Sequence, residues 1–139
     1  MDLQIIQNKI FEVRGCRVML DFHLAELYGV QTKALKQAVK RNEKRFPGDF
    51  RFTMTKEEWD ELVTICDQLP ENLKHSYILP DCFTEQGVAM LSSVLRSQTA
   101  IDVNISIMRA FVLMRQMSIG YEELLKRIEE LEQSTDAQF

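Results

Sequence analysis

Thr32, Lys33, Lys36, Gln37 and Lys40 follow one another at helical spacing, so in an α-helix they share one face. Gln31 stands at the entry to that helix, and Arg41, Lys44 and Arg45 continue the cationic track beyond it. These side-chain types meet double-stranded DNA: Lys pairs with phosphate or guanine, and Gln can form two hydrogen bonds with adenine in the major groove. A helix beginning at Thr32 adds backbone donors for phosphate. Residues 31–51 hold seven cations against two acids, net +5, inside a chain of formal net charge −4. A local field of that sign attracts phosphate despite the overall balance, because screening ends charge interactions within about 8–10 Å. A solvated basic helix face would have the same composition.

Other chemistries find no constellation. His23 opens HLAE, which is not the HExxH of a zinc helix, and His75 has no orienting carboxylate at a usable spacing. Cys16, Cys66 and Cys82 form no CxxC, so neither a disulfide frame nor a zinc site is expected, and a reducing compartment suits them. No GxGxxG or P-loop occurs. Glu57, Glu58, Asp60 and Glu61 read as a solvated helix face, and Met90, Met108, Met114 and Met117 as core filler. The expectation is a protein that is not an enzyme, with no catalytic residue, metal or cofactor.

The elements that would hold the cationic face can be read from caps and breakers. Val13 to Leu20 predicts a strand pair turning at Gly15. Asp21 is the expected N-cap of a helix over Phe22 to Tyr28, Gly29 its stop, and Thr32 the cap of a second helix from Lys33 to about Asn42. Ala25 is the small residue where two such helices touch and Gly29 their elbow; Leu24, Tyr28, Val30, Leu35 and either Ala38 or Val39 would lock them. That is helix–turn–helix spacing, although an ordinary helix hairpin would show it too. Phe50 to Met54 alternates as a strand, Thr55 to Glu58 is a capping box opening a helix to about Cys66, and residues 67–76 read as a loop. Tyr77 to Leu79 is a short strand candidate, Pro80-Asp81 a turn, and Thr84 the cap of a helix from Glu85 to about Ser97. The predicted fold is α+β: a small antiparallel sheet, with strands near 10–20, 50–54 and 77–79, packed by helices.

A final helix begins near Ala100. From Val103 apolar residues recur in heptads through Ile107, Ala110, Met114, Met117, Tyr121, Leu124, Ile128 and Leu131. Ile105, Phe111, Val112 and Leu113 make its first half apolar on several faces, which suggests the core. The second half has a single apolar stripe among charges. It predicts a homodimer through Met117, Tyr121, Leu124, Ile128 and Leu131, with packing on its own domain as the alternative. Gly120 weakens the helix by about 1 kcal/mol and is a candidate hinge. The expected organisation is one domain over 1–116 and an amphipathic segment over 117–139, STDAQF reading as the lead into a further region. The chain has 139 residues, 45% hydrophobic and 27% charged, which suits one globular domain. Its longest apolar run, Ala110 to Met114, is too short for a bilayer, and MDLQIIQNKI is no secretory signal, so no membrane contact and a cytoplasmic location are expected.

Two long blocks carry a resemblance. RGCRVMLDFHLAELYGVQTKALKQAVKRNEKRFPGDFRF (Arg14 to Phe52) and LPDCFTEQGVAMLSSVLRSQTAIDVNISIMRAFV (Leu79 to Val112) resemble, in order, the two halves of the phage and prophage ORF-six N-terminal domain. That domain is kin to the KilA-N and Bro-N domains of antirepressor-like proteins. The loop before the second block, ENLKHSYILP, departs from the Gly-rich, Arg-bearing stretch usual there. The resemblance implies a phage-type DNA-binding regulator or antirepressor, without catalysis, that contacts DNA or captures a phage repressor protein.

Overall fold

The computed structural model describes residues 2–66, 69–74 and 78–137. His75 and Tyr77 lie outside the described residues. A short helix α1 (Leu3–Gln7) leads into a hairpin of β1 (Ile10–Val13) and β2 (Cys16–Leu20). Arg14 (φ 55°) and Gly15 (φ 74°) are both left-handed, as a two-residue hairpin turn that follows the strand twist requires. Next come α2 (Asp21–Tyr28), α3 (Thr32–Arg41), a 3-10 turn over Glu43–Arg45, β3 (Arg51–Thr53) and α4 (Lys56–Ile65). They are followed by α5 (Glu71–Lys74), β4 (Asp81–Thr84), α6 (Glu85–Leu91) and α7 (Gln98–Ala137). The strands form an antiparallel sheet in the order β1-β2-β4-β3, so the fold is α+β.

The sheet is the middle layer. Successive strand residues point to opposite faces. Met19 and Phe83 join a core with α1, α2, α3, α6 and the front of α7, while Val18, Leu20 and Cys82 join a second core with Met54, Trp59, Leu62 and Leu69. Each fully buried apolar side chain contributes about 1.5–3 kcal/mol.

The fourth strand is Asp81–Thr84; of the expected 77–79 strand, Ile78 and Leu79 are described and lie outside any strand, and Asp81 does not form a turn. All four residues of β4 are buried because the strand is central and covered on both faces, so it shows no alternation. Asp81 is tolerated there because β3 supplies its partners, Arg51 Nη1 at 3.0 Å and Thr53 Oγ1 at 2.8 Å. The predicted 67–76 loop contains the one-turn helix α5. α6 stops at Leu91 rather than Ser97, and the Ser92 and Ser93 hydroxyls bond back to the carbonyls of Ala89 and Met90.

The capping box at Thr55 forms as read: its amide donates to Glu58 Oε1 (2.8 Å) and its hydroxyl accepts from the Glu58 amide (3.2 Å). Arg14 reaches from the hairpin tip to chelate the same carboxylate at 2.8 and 2.9 Å and lies over the Phe52 ring. The Arg14 hydrogen bond, with the Thr55 amide, lowers the Glu58 carboxyl to about 2.

α7 runs unbroken through Gly120, so that residue is helical. At 40 residues it is about 60 Å long. Only one side of its first half enters the core, through Ala100, Val103, Ile107, Ala110 and Phe111. Ile105, Val112 and Leu113 are exposed, contrary to the reading of a helix buried on several faces, because one straight helix lying on the domain hides one side only.

Candidate nucleic-acid interface

β2 passes directly into α2, and this junction decides how the cationic helix is held. Leu20 occupies the N-cap position, so Asp21 is the first helical residue and not the cap. Its carboxylate accepts from its neighbour's amide, Phe22, at 2.7 Å and from the Asp81 amide of β4 at 3.0 Å. It also lies 3.4 Å from Lys36 Nζ on α3. Burial raises the Asp21 carboxyl pKa, while the Asp81 amide and Lys36 pull it down. One buried acid thus clips the sheet, α2 and α3 together.

The elbow has the expected geometry. Gly29 is left-handed (φ 72°). Val30 N donates to Ala25 O at 3.0 Å and Gly29 N to Glu26 O at 3.2 Å, the bond pair of a Schellman motif. α3 starts at Thr32 with Gln31 in the cap position, and Gln31 makes no side-chain cap bond; Thr32 is therefore not the cap. Leu35 and Val39 are buried against the first core with Leu24, Ala25 and Tyr28, while Val30 is exposed rather than locking the helices. The Tyr28 hydroxyl donates to Asn104 Oδ1 on α7, tying the helix pair to the long helix.

Outward from this anchor, Lys33, Gln37, Lys40 and Arg41 are exposed on an arc of about 100° of α3. Gln31 and Lys44 are exposed as well, and Thr32 is half-buried. Arg45 is exposed and donates to Ser93 Oγ at 3.1 Å. Lys36 stands apart: it is turned inward to Asp21, a partnership that spacing alone does not reveal because the acid sits one helix earlier. Thr32, Lys33, Lys36, Gln37 and Lys40 also line one wall of a cavity of about 660 Å³, whose other walls include Trp59 of α4 and Leu79-Pro80. Sequence reasoning missed this recess, since it joins residues more than forty positions apart.

The dimer candidates Met117, Tyr121, Leu124, Ile128 and Leu131 all lie on α7 and are 43–68% exposed. Arg17 donates to Ser118 where α7 passes the hairpin. His23, on the predicted helix beside Asp21 and Glu26, is buried between the rings of Phe11 and Phe22, and its Nδ1 has no hydrogen-bond partner among the described residues. Burial, with Lys9 nearby, lowers its pKa to about 4. Among the described residues no group of three or more His, Cys, Asp or Glu is placed to hold a metal ion, and no helix is long and apolar enough to cross a membrane.

The fold and site define an α+β domain that braces a cationic helix against its sheet through a buried acid. The family model for the ORF6N domain matches residues 8–94, and the chain belongs to that family of phage-type regulatory domains. The match begins just before β1 and ends after α6, so α7 lies outside it. No curated protein and no solved structure matches the chain.

Proposed function

We propose that this chain is a DNA-binding module of a phage-type transcriptional regulator, a binder rather than an enzyme. In this reading α2, the Gly29 elbow and α3 act as a helix–turn–helix unit, with Gln37 and Lys40 reading the major groove. Lys33, Arg41, Lys44 and Arg45 hold phosphates, and Gln31 and Thr32 sit at the helix entry. Lys36 orients α3 through Asp21 rather than spending its charge on DNA. The observation that carries the reading is the exposed Lys33-Gln37-Lys40-Arg41 face at the centre of a +5 segment in an acidic protein. About four to six phosphates neutralised per protomer would make affinity steeply salt-dependent. DNA in the cytoplasm is the partner this assigns.

Two half-sites would be spanned by a homodimer joined through the α7 stripe. A second reading draws on the same stripe: the exposed apolar residues of α7, ringed by acids, suit a protein partner, and an antirepressor would use them to capture a phage repressor.

The test is a mobility-shift titration on random duplex in low and moderate salt, comparing the parent with a Lys40→Glu, Arg41→Glu variant. Losing two phosphate contacts and gaining two acids should weaken binding about 100-fold, or about 2.7 kcal/mol, and flatten the salt dependence. Equal binding by both proteins would sink the reading.

A further inference from the structure

The cavity in front of α3 has a composition that DNA contact leaves unexplained. A helix face that met only phosphate would need cations and open solvent. Here the cations rim a recess of about 660 Å³ walled by Phe22, Trp59 and Leu79. That volume falls in the range of about 300–1,000 Å³ typical of small-molecule sites. Apolar walls with a few convergent polar groups are the usual make-up of such sites. Trp59 lines the recess, and among the described residues its buried indole N–H has no partner. The Asp21 carboxylate at the same site is already engaged by two amides and Lys36, so its charge does not oppose an anion as a free carboxylate would.

We propose that this recess is a binding site for an amphipathic organic anion: a flat aromatic body carrying one acid group. The ring body packs against Phe22, Trp59 and Leu79, and the acid group faces Lys33 and Lys40 at the rim. Both halves of the ligand are needed, because the walls offer little to an inorganic ion and the rim offers little to a hydrocarbon. A consequence rests on the DNA reading above: Lys33, Gln37 and Lys40 serve both surfaces, so an occupied recess releases DNA. The module would then be an effector-controlled one.

The chain's single tryptophan is Trp59, so energy transfer from it reports on the site. The probe is 1-anilinonaphthalene-8-sulfonate, titrated into the full chain. Saturable one-site binding is expected, weakened about tenfold or more by the Lys33→Glu, Lys40→Glu pair. The Leu124→Glu, Leu131→Glu variant should leave it unchanged, which excludes the α7 stripe as the probe's seat. The neutral analogue N-phenyl-1-naphthylamine and inorganic sulfate should each bind or displace at least about tenfold more weakly than the probe. The proposal is overturned if charge reversal at Lys33 and Lys40 leaves binding intact, if the α7 variant abolishes it, or if either analogue matches the probe. Duplex binding on the same samples separates the two readings. Probe binding without duplex affinity removes only the DNA assignment, and duplex binding without probe binding removes only the recess.

Discussion

α3 and the second half of α7 are both helices with a surface that their own domain does not cover, and they are opposite in kind. α3 buries Leu35 and Val39 and turns Lys33, Gln37, Lys40 and Arg41 outward. α7 beyond residue 116 shows an apolar stripe set among six acids and two bases over residues 121–139. Cations on a rigid helix are comfortable in water and wait for phosphate at no folding cost. An exposed stripe of Leu, Ile and Tyr is not comfortable, and burying it is what another helix offers. The family match ends at residue 94, before α7 starts, so it includes α3 and leaves the stripe outside. One region thus presents charge, and the other presents apolar area. Like charge also keeps the acidic helix from being a second nucleic-acid surface.

The contrast presumes that both surfaces stand on one rigid body, and the largest effect should come from removing that body. Gly87 on α6 approaches so closely that a Cβ there would lie 2.1 Å from the Phe50 carbonyl oxygen. That carbonyl also accepts from Thr84, so it has little room to yield. Gly87→Ala should cost about 3 kcal/mol, the upper part of the overpacking range, and lower both duplex binding and self-association through unfolding alone. Denaturant unfolding followed by Trp59 fluorescence measures it; a loss under about 0.5 kcal/mol would mean α6 can slide freely.

Within α3 the contrast becomes sharper. Lys36 and Lys40 are one turn apart, yet Lys36 faces a buried carboxylate and Lys40 faces solvent. Lys36→Met strands Asp21 without its cation and should cost about 2 kcal/mol of stability, below the 3–5 kcal/mol of a fully buried pair because Lys36 is partly exposed. Lys40→Met should change stability by less than about 0.5 kcal/mol while weakening duplex binding. Swapped outcomes for the two would show that the outward face had been assigned to the wrong lysine.

How far the sequence reveals these arrangements depends on whether the signal is local. The Arg14-Gly15 turn, the Gly29 elbow, the Thr55 capping box and the inner residues Leu35 and Val39 are set by neighbours a few positions away, and all are legible. β4 was not, because a central strand buried on both faces has no period-two pattern. The inward partner of Lys36 was not legible for a related reason. Its partner Asp21 looks like a helix cap, and only the β2–α2 junction shows that the cap position is already filled by Leu20. The recess in front of α3 needs residues from α2, α3, α4 and the approach to β4, so no single stretch of sequence describes it.

On the α7 side the expected effect is smaller, since in the proposed reading an exposed stripe acts through association and not through the fold. Leu124→Glu with Leu131→Glu places two acids on the stripe of an already acidic helix. Self-association measured by light scattering should weaken at least about tenfold, or about 1.4 kcal/mol. The unfolding midpoint of the domain at low concentration should stay where it was. Unchanged mass together with a lower midpoint would mean the stripe packs on its own domain after all.

The smallest effect lies beneath both surfaces, at His23 on α2. The ring is held neutral between Phe11 and Phe22, with Lys9 and Cys66 as the titratable groups at the adjoining small cavity. Its folded pKa of about 4 lies below the usual 6.5, so the unfolded chain takes up a proton at pH values where the folded chain does not. The neutral ring's contribution is therefore complete above about pH 6.5 and is lost as pH falls toward 4. Between pH 7 and 6 the unfolding free energy should drop by about 0.7 kcal/mol, and His23→Phe should flatten that drop. Glu58, already lowered to about 2 by Arg14, stays ionised across this window and contributes no slope of its own until lower pH. Because α2 carries the elbow, acid should loosen the α3 surface before it affects the α7 stripe. Duplex binding that fell no faster than self-association between pH 7 and 5 would detach His23 from the cationic face and leave it a packing residue only.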